Sequence, residues 1–412
     1  MQKTSRRALV STMGKAAVGG LVLSALPVRF AARAAAQSAT PAPVQNGASQ
    51  VAITLTSDNG GTCVLDHTTA QAGPITFTVT NQSATSLTEV ELLSENRILG
   101  EKENLAPGLP SVSFTVTLGG GTYQIYCPGA SNEMQDFVVT GEAAAQPTGS
   151  VAQILNDGTK GYATYVIGVV ASMVDAVTTL KTDIDAGDLE AARKAYPQAR
   201  PFYERIEADV EGFILPGHDA TDNAGNLDYL IDMRASNLDP AVGWHGFHAI
   251  ERDLFEAGKI TDSTKTLAAE LLENVKTLDT VVQTLTYTPE DLANGAASLL
   301  EEVQANKITG EEELYSHYDL VDFAGNVEGA QQAFAFLEPG LEKIDAALTD
   351  QVNAQFAKVN ALLETYRDPN EPGGYKRYTE ELKATEATKL SQAVQALQEP
   401  LSQIAEKVAT AS

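Results

Sequence analysis

The hydrophobic pattern changes period once along this 412-residue chain, and that change dictates two different kinds of structure. Val51-Ala52-Ile53-Thr54-Leu55-Thr56, Ile75-Thr76-Phe77-Thr78-Val79-Thr80 and Val112-Ser113-Phe114-Thr115-Val116-Thr117 alternate with period two. Gly121 to Cys127 and Phe137-Val138-Val139 continue the pattern, with Gly-, Pro- and Asn-bearing turns between them. Short alternating strands at this spacing predict a small antiparallel β-sandwich over 51–140. Gly141 to Ser150 reads as a linker, and from 151 to 412 the period is helical. The predicted helices are 152–185, 188–213, 241–256, 262–285, 290–306, 313–337, 340–366 and 376–408, punctuated by Gly187, Pro240, Gly258, Pro289 and Pro339-Gly340. Helices of this length on short connections predict two packed bundles.

The first 36 residues are expected to be an export signal rather than fold. Lys3, Arg6 and Arg7 form a basic start, Ala16 to Leu26 a short apolar core, and Ala34-Ala35-Ala36 a cleavage site. Ser5-Arg6-Arg7 before Ala8-Leu9-Val10 resembles a twin-arginine signal, and an ordinary secretory signal is the alternative. Gln37 follows the cleavage site, which predicts no lipid-anchored cysteine there, and 37–50 reads as a flexible tether. No other run is judged apolar enough to span a membrane. With the signal removed, 22 basic face 54 acidic side chains, a net charge of about −32. Such a field repels nucleic acid and concentrates cations.

One helical face carries unusual chemistry. Trp244, Phe247, His248, Glu251, Leu254 and Phe255 fall at i, i+3, i+4, i+7, i+10 and i+11. The face is apolar except for an imidazole and a carboxylate one turn apart. Burying both unpartnered costs on the order of several kcal/mol, so a shared cation or an internal hydrogen bond is required. Upstream, Tyr203, Ile206, Val210 and Phe213 form an apolar face with Glu207 on its margin, and Glu204 sits one turn before Glu207. Mixed imidazole and carboxylate donors suit iron or zinc. No His-Glu-x-x-His is present, so a zincin-type peptidase lacks its motif. Tyr315, Asp319, Asp322 and Asn326 form a polar helical face that either lines a cleft or stabilises packing through hydrogen bonds.

Gly246-Phe247-His248-Ala249-Ile250-Glu251 resembles the Gly-x-His-x-x-Glu signature of the imelysin family. The similarity extends through Phe202 to Glu207, Leu299 to Val303, Lys307 to Glu312, Tyr315 to Phe323 and Asn326 to Gly329. With a β domain ahead of it, the arrangement is similar to EfeO-type iron-uptake proteins. That resemblance implies a cupredoxin-like β-sandwich followed by an all-α imelysin-like domain. It implies metal ligands at Glu204, Glu207, Asp228 and His248, with Glu251 binding directly or orienting, and Asp232 as the competitor of Asp228. It also implies an exported carrier, periplasmic or on the cell exterior, that delivers iron to a membrane permease alongside other Efe-system components. A metallopeptidase or a ferroxidase is the enzymatic alternative.

In the β domain, Cys127 precedes Pro128-Gly129 as a copper-binding cysteine does. Met134 follows, but His67 is the domain's single histidine, which argues against the two-histidine blue-copper pattern. The resemblance implies instead a second metal, copper or zinc being alternatives to iron, on Cys63, Glu89, Glu91, Glu103 and Cys127. A Cys63–Cys127 disulfide is the competing reading.

Overall fold

The computed structural model describes residues 40–94, 97–142, 149–210 and 212–411. The export signal and most of the 141–150 linker lie outside these residues. The first domain is built from two five-stranded sheets. One has the order β1 (Val44–Gln45), β2 (Ala48–Thr56), β5 (Gly73–Asn81), β8 (Val112–Leu118), with β3 (Thr62–Leu65) also paired to β2. The other runs β4 (Thr69–Gln71), β10 (Met134–Thr140), β9 (Gly121–Tyr126), β6 (Val90–Ser94), β7 (Arg97–Lys102). Alternation turns Ile53, Leu55, Phe77 and Val79 inward from the first sheet, and Leu92, Ile125, Phe137 and Val139 from the second. Phe77 stacks on Phe114 within its own sheet at 5.1 Å and meets Phe137 edge-on across the core at 5.2 Å.

Two expectations for this domain change. The sheets are mixed, because β2–β5 and β4–β10 pair in parallel. A period of two fixes which face a residue takes and says nothing about strand direction. The proposed tether is ordered from β1 onward: Val44 pairs with Ser49 and Gln45 with Ala48 across an Asn46-Gly47 turn. Both turn residues have positive φ, 51° and 91°, which is the twist a two-residue hairpin needs. Cys63 and Cys127, both fully buried, form a disulfide. Their sulfurs are bonded to each other, so neither is a thiolate ligand in this form.

The second domain contains α1 (Ser150–Ala186), α2 (Leu189–Glu204), α3 (Glu207–Val210), α4 (Leu227–Asp232), α5 (Gly246–Glu251), α6 (Asp262–Val282), α7 (Pro289–Glu302), α8 (Asp319–Ile344), α9 (Ala346–Glu364), α10 (Glu380–Leu401) and α11 (Ile404–Ala409). Thr261 and Thr288 cap α6 and α7 with reciprocal capping boxes, and Gly187 ends α1 in the left-handed conformation. Helix α8 is the shared wall of two bundles. It packs against α1 and α2 on one side and against α7 and α9 on the other, and α10 and α11 complete the second group.

Helix α1 corrects the reading that no further run reaches membrane-spanning length. It is long and apolar enough by length and composition. Its Val166, Val170, Met173, Val177, Leu180 and Ile184 recur at helical spacing and are buried, and the helix packs on α2, α6 and α8. The predicted helix 188–213 breaks after Glu204, where Ile206 N–H bonds Tyr203 O at 2.8 Å in a tight turn. Pro197 and Pro201 already remove two amide donors from α2. The predicted break at Pro339-Gly340 is absent. Helix α8 runs on to Ile344, and Asp345 then caps α9 through Leu348 N–H. The predicted helix 313–337 starts at Asp319, because His317 takes a φ of 61°.

The sandwich rests on α7 and α11. Asn294 bonds both backbone groups of Thr115, accepting from its N–H at 3.3 Å and donating to its carbonyl at 2.6 Å. Glu406 accepts from Asn46, Gln50 and Thr76. Lys102 pairs with Glu301 at 2.8 Å.

The disulfide ties the first sheet to the end of β9 over a separation of 64 residues. Replacing both cysteines by serine is expected to lower the unfolding free energy of the β domain by about 4 kcal/mol. Denaturant titration followed by near-ultraviolet dichroism, under oxidising conditions, checks this.

Candidate metal centre

Six segments converge on a buried polar centre where the helical bundles meet. Helix α2 brings Arg200 and Glu204, α3 brings Glu207, and α4 brings Asp232. Helix α5 brings His248 and Glu251. The stretch before α8 supplies Lys307, Glu312 and Glu313, and α8 itself supplies Asp319, Asp322 and Asn326. Two glycines permit the approach. Gly246 opens α5 at a φ of +78°, and a Cβ there would lie 2.0 Å from Ile231 O. Gly325 on α8 faces α2, where a Cβ would meet Glu204 Cβ at 2.5 Å. The first contact brings His248 to Asp232, and the second brings Asp322 to Arg200.

Around His248, Nε2 lies 3.2 Å from Glu312 Oε1 and 3.6 Å from Asp232 Oδ1. Nδ1 lies 3.4 Å from Glu251 Oε2 and 3.8 Å from Glu313 Oε1. Glu251 is itself fixed, because its Oε1 accepts the Tyr315 and Ser316 N–H groups at 2.8 and 2.7 Å. It therefore orients the imidazole from behind.

Two protein cations occupy the rest of the centre. Arg200 is fully buried and contacts Glu204, Asp232, Glu312 (3.4 Å), Glu313 (3.2 Å) and Asp322 (3.0 Å). Its guanidinium lies 5.1 Å from the centroid of the Phe247 ring. Lys307 Nζ lies 3.3 Å from Glu204 Oε2, 3.3 Å from Glu207 Oε2 and 3.4 Å from Glu312 Oε1. Asn326 donates to Glu207 Oε2 at 2.9 Å. At the rim, Arg234 bridges Glu302 (2.8 Å) and Glu312 (3.2 Å).

The charge does not balance. Glu204, Glu207, Asp232, Glu251, Glu302, Glu312, Glu313, Asp319 and Asp322 are all buried. Against them stand Arg200, Lys307, the half-buried Arg234 and His248. Either protons or a further cation must offset the remainder. Burial pushes Glu204 and Glu313 up to about 8 and raises Glu207, Asp319 and Asp322 well above the carboxylate range. Burial acts in the same direction on Asp232 and Glu312, but cations override it: Arg200 and His248 hold Asp232 low, and Lys307 and Arg234 hold Glu312 low. Burial lowers His248, yet the adjacent Asp232 carboxylate leaves it well above the usual imidazole range. Asp319 Oδ2, Asp322 Oδ1 and Asn326 Oδ1 are buried without a hydrogen-bond partner among the described residues. Glu204 Oε2 has only the Lys307 ammonium, outside hydrogen-bond geometry. Two of these residues, Glu204 and Asp322, have oxygens close enough to Glu312 to share an ion with it, and Glu312 also contacts His248, which makes a donor set for a hard or borderline cation.

The sequence-predicted ligands divide. Glu204, Glu207, His248 and Glu251 join one network. Asp228 stands outside it, accepting from the Tyr203 hydroxyl, and Asp232, four residues along α4, takes the place beside His248. Three overlapping groups have donor atoms close enough to share an ion: Asp232 with His248 and Glu312; His248 with Glu251 and Glu313; and Glu204 with Glu312 and Asp322. Glu312 and Glu313 were not singled out from sequence, since they lie in an irregular turn without periodicity. Arg200 had a signal, because it sits four residues before Glu204 on the face of Tyr196 and Tyr203.

In the β domain, Glu89, Glu91 and Glu101 have oxygens within reach of one ion. Glu91 is buried beside Tyr126, the residue before Cys127, and its Oε2 has no hydrogen-bond partner among the described residues. Burial, reinforced by Glu89 and Glu101, pushes its carboxyl up to about 10. Glu103 instead faces the helical domain, where burial, reinforced by the Glu302 charge, raises its carboxyl well above the carboxylate range.

Arg200→Met removes the cation that five buried carboxylates share, and is expected to destabilise the protein by about 3–5 kcal/mol at neutral pH. The raised groups also set a pH dependence. A carboxyl raised from 4.5 to about 8 adds stability that is complete below 4.5 and lost as the pH climbs through 8. His248 acts with the same sign, whereas the lowered Asp232 and Glu312 lose their contribution only under acid conditions. The melting temperature of the metal-free protein is therefore expected to fall between about pH 5 and 8.5, and Glu204→Gln with Glu313→Gln to flatten that fall. Calorimetric scans across the range test both.

Comparison with known proteins agrees with this architecture. The imelysin family model matches residues 158–404, the bulk of the helical domain. An EfeM/EfeO family lipoprotein of Staphylococcus haemolyticus is 38% identical over 254 residues, spanning 61% of this chain and 83% of the relative. One from Staphylococcus aureus strain MRSA252 is 39% identical over 254 residues, spanning 61% and 84%. With a family model matching more than half its length and relatives covered over four-fifths of theirs, the chain belongs to the imelysin family and is a member of its EfeM/EfeO group.

Proposed function

We propose that the protein is an exported, non-catalytic carrier that captures iron in the helical centre and hands it to a membrane permease of an Efe-type uptake system. The observation that carries this reading is the excess of buried carboxylates gathered around one imidazole, with oxygens left unpartnered. His248 supplies nitrogen. Glu204, Asp232, Glu312 and Asp322 supply charge, Glu207 closes one side, and Glu251 orients the ring. Asp228, expected as a ligand, supports the site through Tyr203. Oxygen-dominated coordination with one nitrogen suits iron. Kinship with EfeM/EfeO family lipoproteins supports a place in the cell envelope, periplasmic or external. The basic start of residues 1–36 supports export, and its paired arginines the twin-arginine route. Delivery to a permease and association with other Efe-system components follow from the same kinship.

In the β domain a second cation is assigned to Glu89, Glu91 and Glu101, with Glu103 at the domain boundary. A carboxylate set favours a hard ion such as iron. Reducing the disulfide would return Cys63 and Cys127 as thiolates and favour copper or zinc.

The enzymatic alternative has one observation in its favour, the peptidase classification of the family model. Metal-dependent hydrolysis needs an open coordination position and a free general base. Here His248 is flanked by four acids, and Glu251 is committed to two backbone N–H groups.

Titration of the metal-free protein with iron, followed by calorimetry and metal analysis, is expected to show binding weakened at least about 10-fold in both His248→Ala and Glu204→Ala. Equal affinity and stoichiometry in both variants would remove this site. Peptide turnover by the iron-loaded protein, or rapid oxygen consumption with ferrous iron, would favour the enzyme.

A further inference from the structure

Among the two cations inside the centre, one is built to stay and one is not. Arg200 reaches acids from α2, α4, the turn before α8 and α8 itself, and lies against Phe247. Its planar fork is held by several simultaneous contacts, and moving it would open the whole centre. Lys307 presents a single atom. Its Nζ sits 3.3–3.4 Å from three carboxylates that belong to α2, α3 and the turn at Glu312. No other part of its side chain makes a polar contact, and its four-carbon stem has several rotatable bonds. Glu204 and Glu312, two of its three partners, also form a potential ion-binding trio with Asp322, whose Oδ1 is buried and unpartnered.

The backbone around Lys307 differs from the helix it follows. Val303–Lys307 is a π-helical turn extending α7, and the chain then leaves through Gly310 at a φ of 72°. A π turn holds one residue more than an α turn. Conversion of that turn to α geometry would rotate the residues beyond it by about 100° and so re-aim the Lys307 side chain.

We propose that Lys307 is an internal stand-in for the cargo. Its ammonium holds the cation position among Glu204, Glu207 and Glu312 until a multivalent cation displaces it. This rests on the iron-carrier reading above and adds a selectivity rule to it. The incoming ion must displace an ammonium already held at close range by three buried carboxyl groups. A monovalent ion brings no more charge than the one it expels, and is refused. An ion of charge two or three gains more from the same oxygens than the lysine loses. Displacement also accounts for a buried lysine in a centre that already has arginine for structural neutralisation.

The test uses the full chain and iron supplied as ferric citrate. The first measurement needs no mutation. Acetylation of Lys307 by a water-soluble N-hydroxysuccinimide ester, read by peptide mass spectrometry, is expected to be at least fivefold faster with iron bound than without. The second is the affinity of Lys307→Met, which keeps the apolar length and removes the competing charge. Iron is expected to bind it at least tenfold more tightly than wild type, and potassium ions are expected to bind detectably only in the variant. Equal or lower acetylation of Lys307 in the iron-loaded wild type overturns the proposal whatever the variant does. His248→Ala separates the two readings. If wild type and His248→Ala take up iron alike, the carrier site itself falls, and the displacement with it. If uptake depends on His248 while Lys307 stays protected, only the displacement falls.

Discussion

The guanidinium of Arg200, sealed from solvent and shared by five carboxylates, is the interaction on which the helical domain depends. It gathers side chains from α2, α4, α8 and the turn before α8. It helps to hold Asp232 low and opposes the rise that burial imposes on Glu204 and Asp322. A charge held this way is a poor source of stability by itself, because desolvation consumes most of the Coulomb gain. What it provides is position. It fixes α2, α4 and α8 relative to one another, and so fixes where the donors around His248 point.

Much of this was legible in the amino-acid pattern, and the parts that were not share physical causes. His248 and Glu251 were visible because a polar pair interrupted an apolar stripe, and the structure buries both as that pattern required. Glu204 and Glu207 stood out as neighbouring acids at the edge of a hydrophobic face, but that pattern alone favoured a solvated pair, and only the family resemblance pointed to the buried placement the structure shows. Glu312 and Glu313 carry no such mark, because periodicity is lost in a turn and only tertiary contact reveals their role. Asp228 and Asp232 differ by one helical turn, and the choice between them depended on how Asn226 caps α4. The Asn46-Gly47 hairpin was a strong local signal hidden inside a composition that reads as a tether. Pro339 did not end α8, which runs through it to Ile344 with Gly340 packed close against Leu155.

The β domain shows how two readings of one residue pair are separated by chemistry. Cys63 and Cys127 were equally consistent with thiolate ligands and with a crosslink. The oxidised form leaves an acidic group whose Glu91 is buried next to Cys127, so the crosslink and the carboxylates share a neighbourhood. The crosslink therefore removes thiolate donors from that neighbourhood and leaves carboxylate oxygens.

Helix α7 has a foot in each domain. At its end Glu301 grips Lys102 of the sandwich, Glu302 meets Arg234 and Asn104, and five residues later Lys307 enters the centre. It is a lever with a short arm. The buried centre and the seat of the sandwich are thus joined by a few residues of one continuous helical stretch, so neither can be displaced without straining the other's contacts.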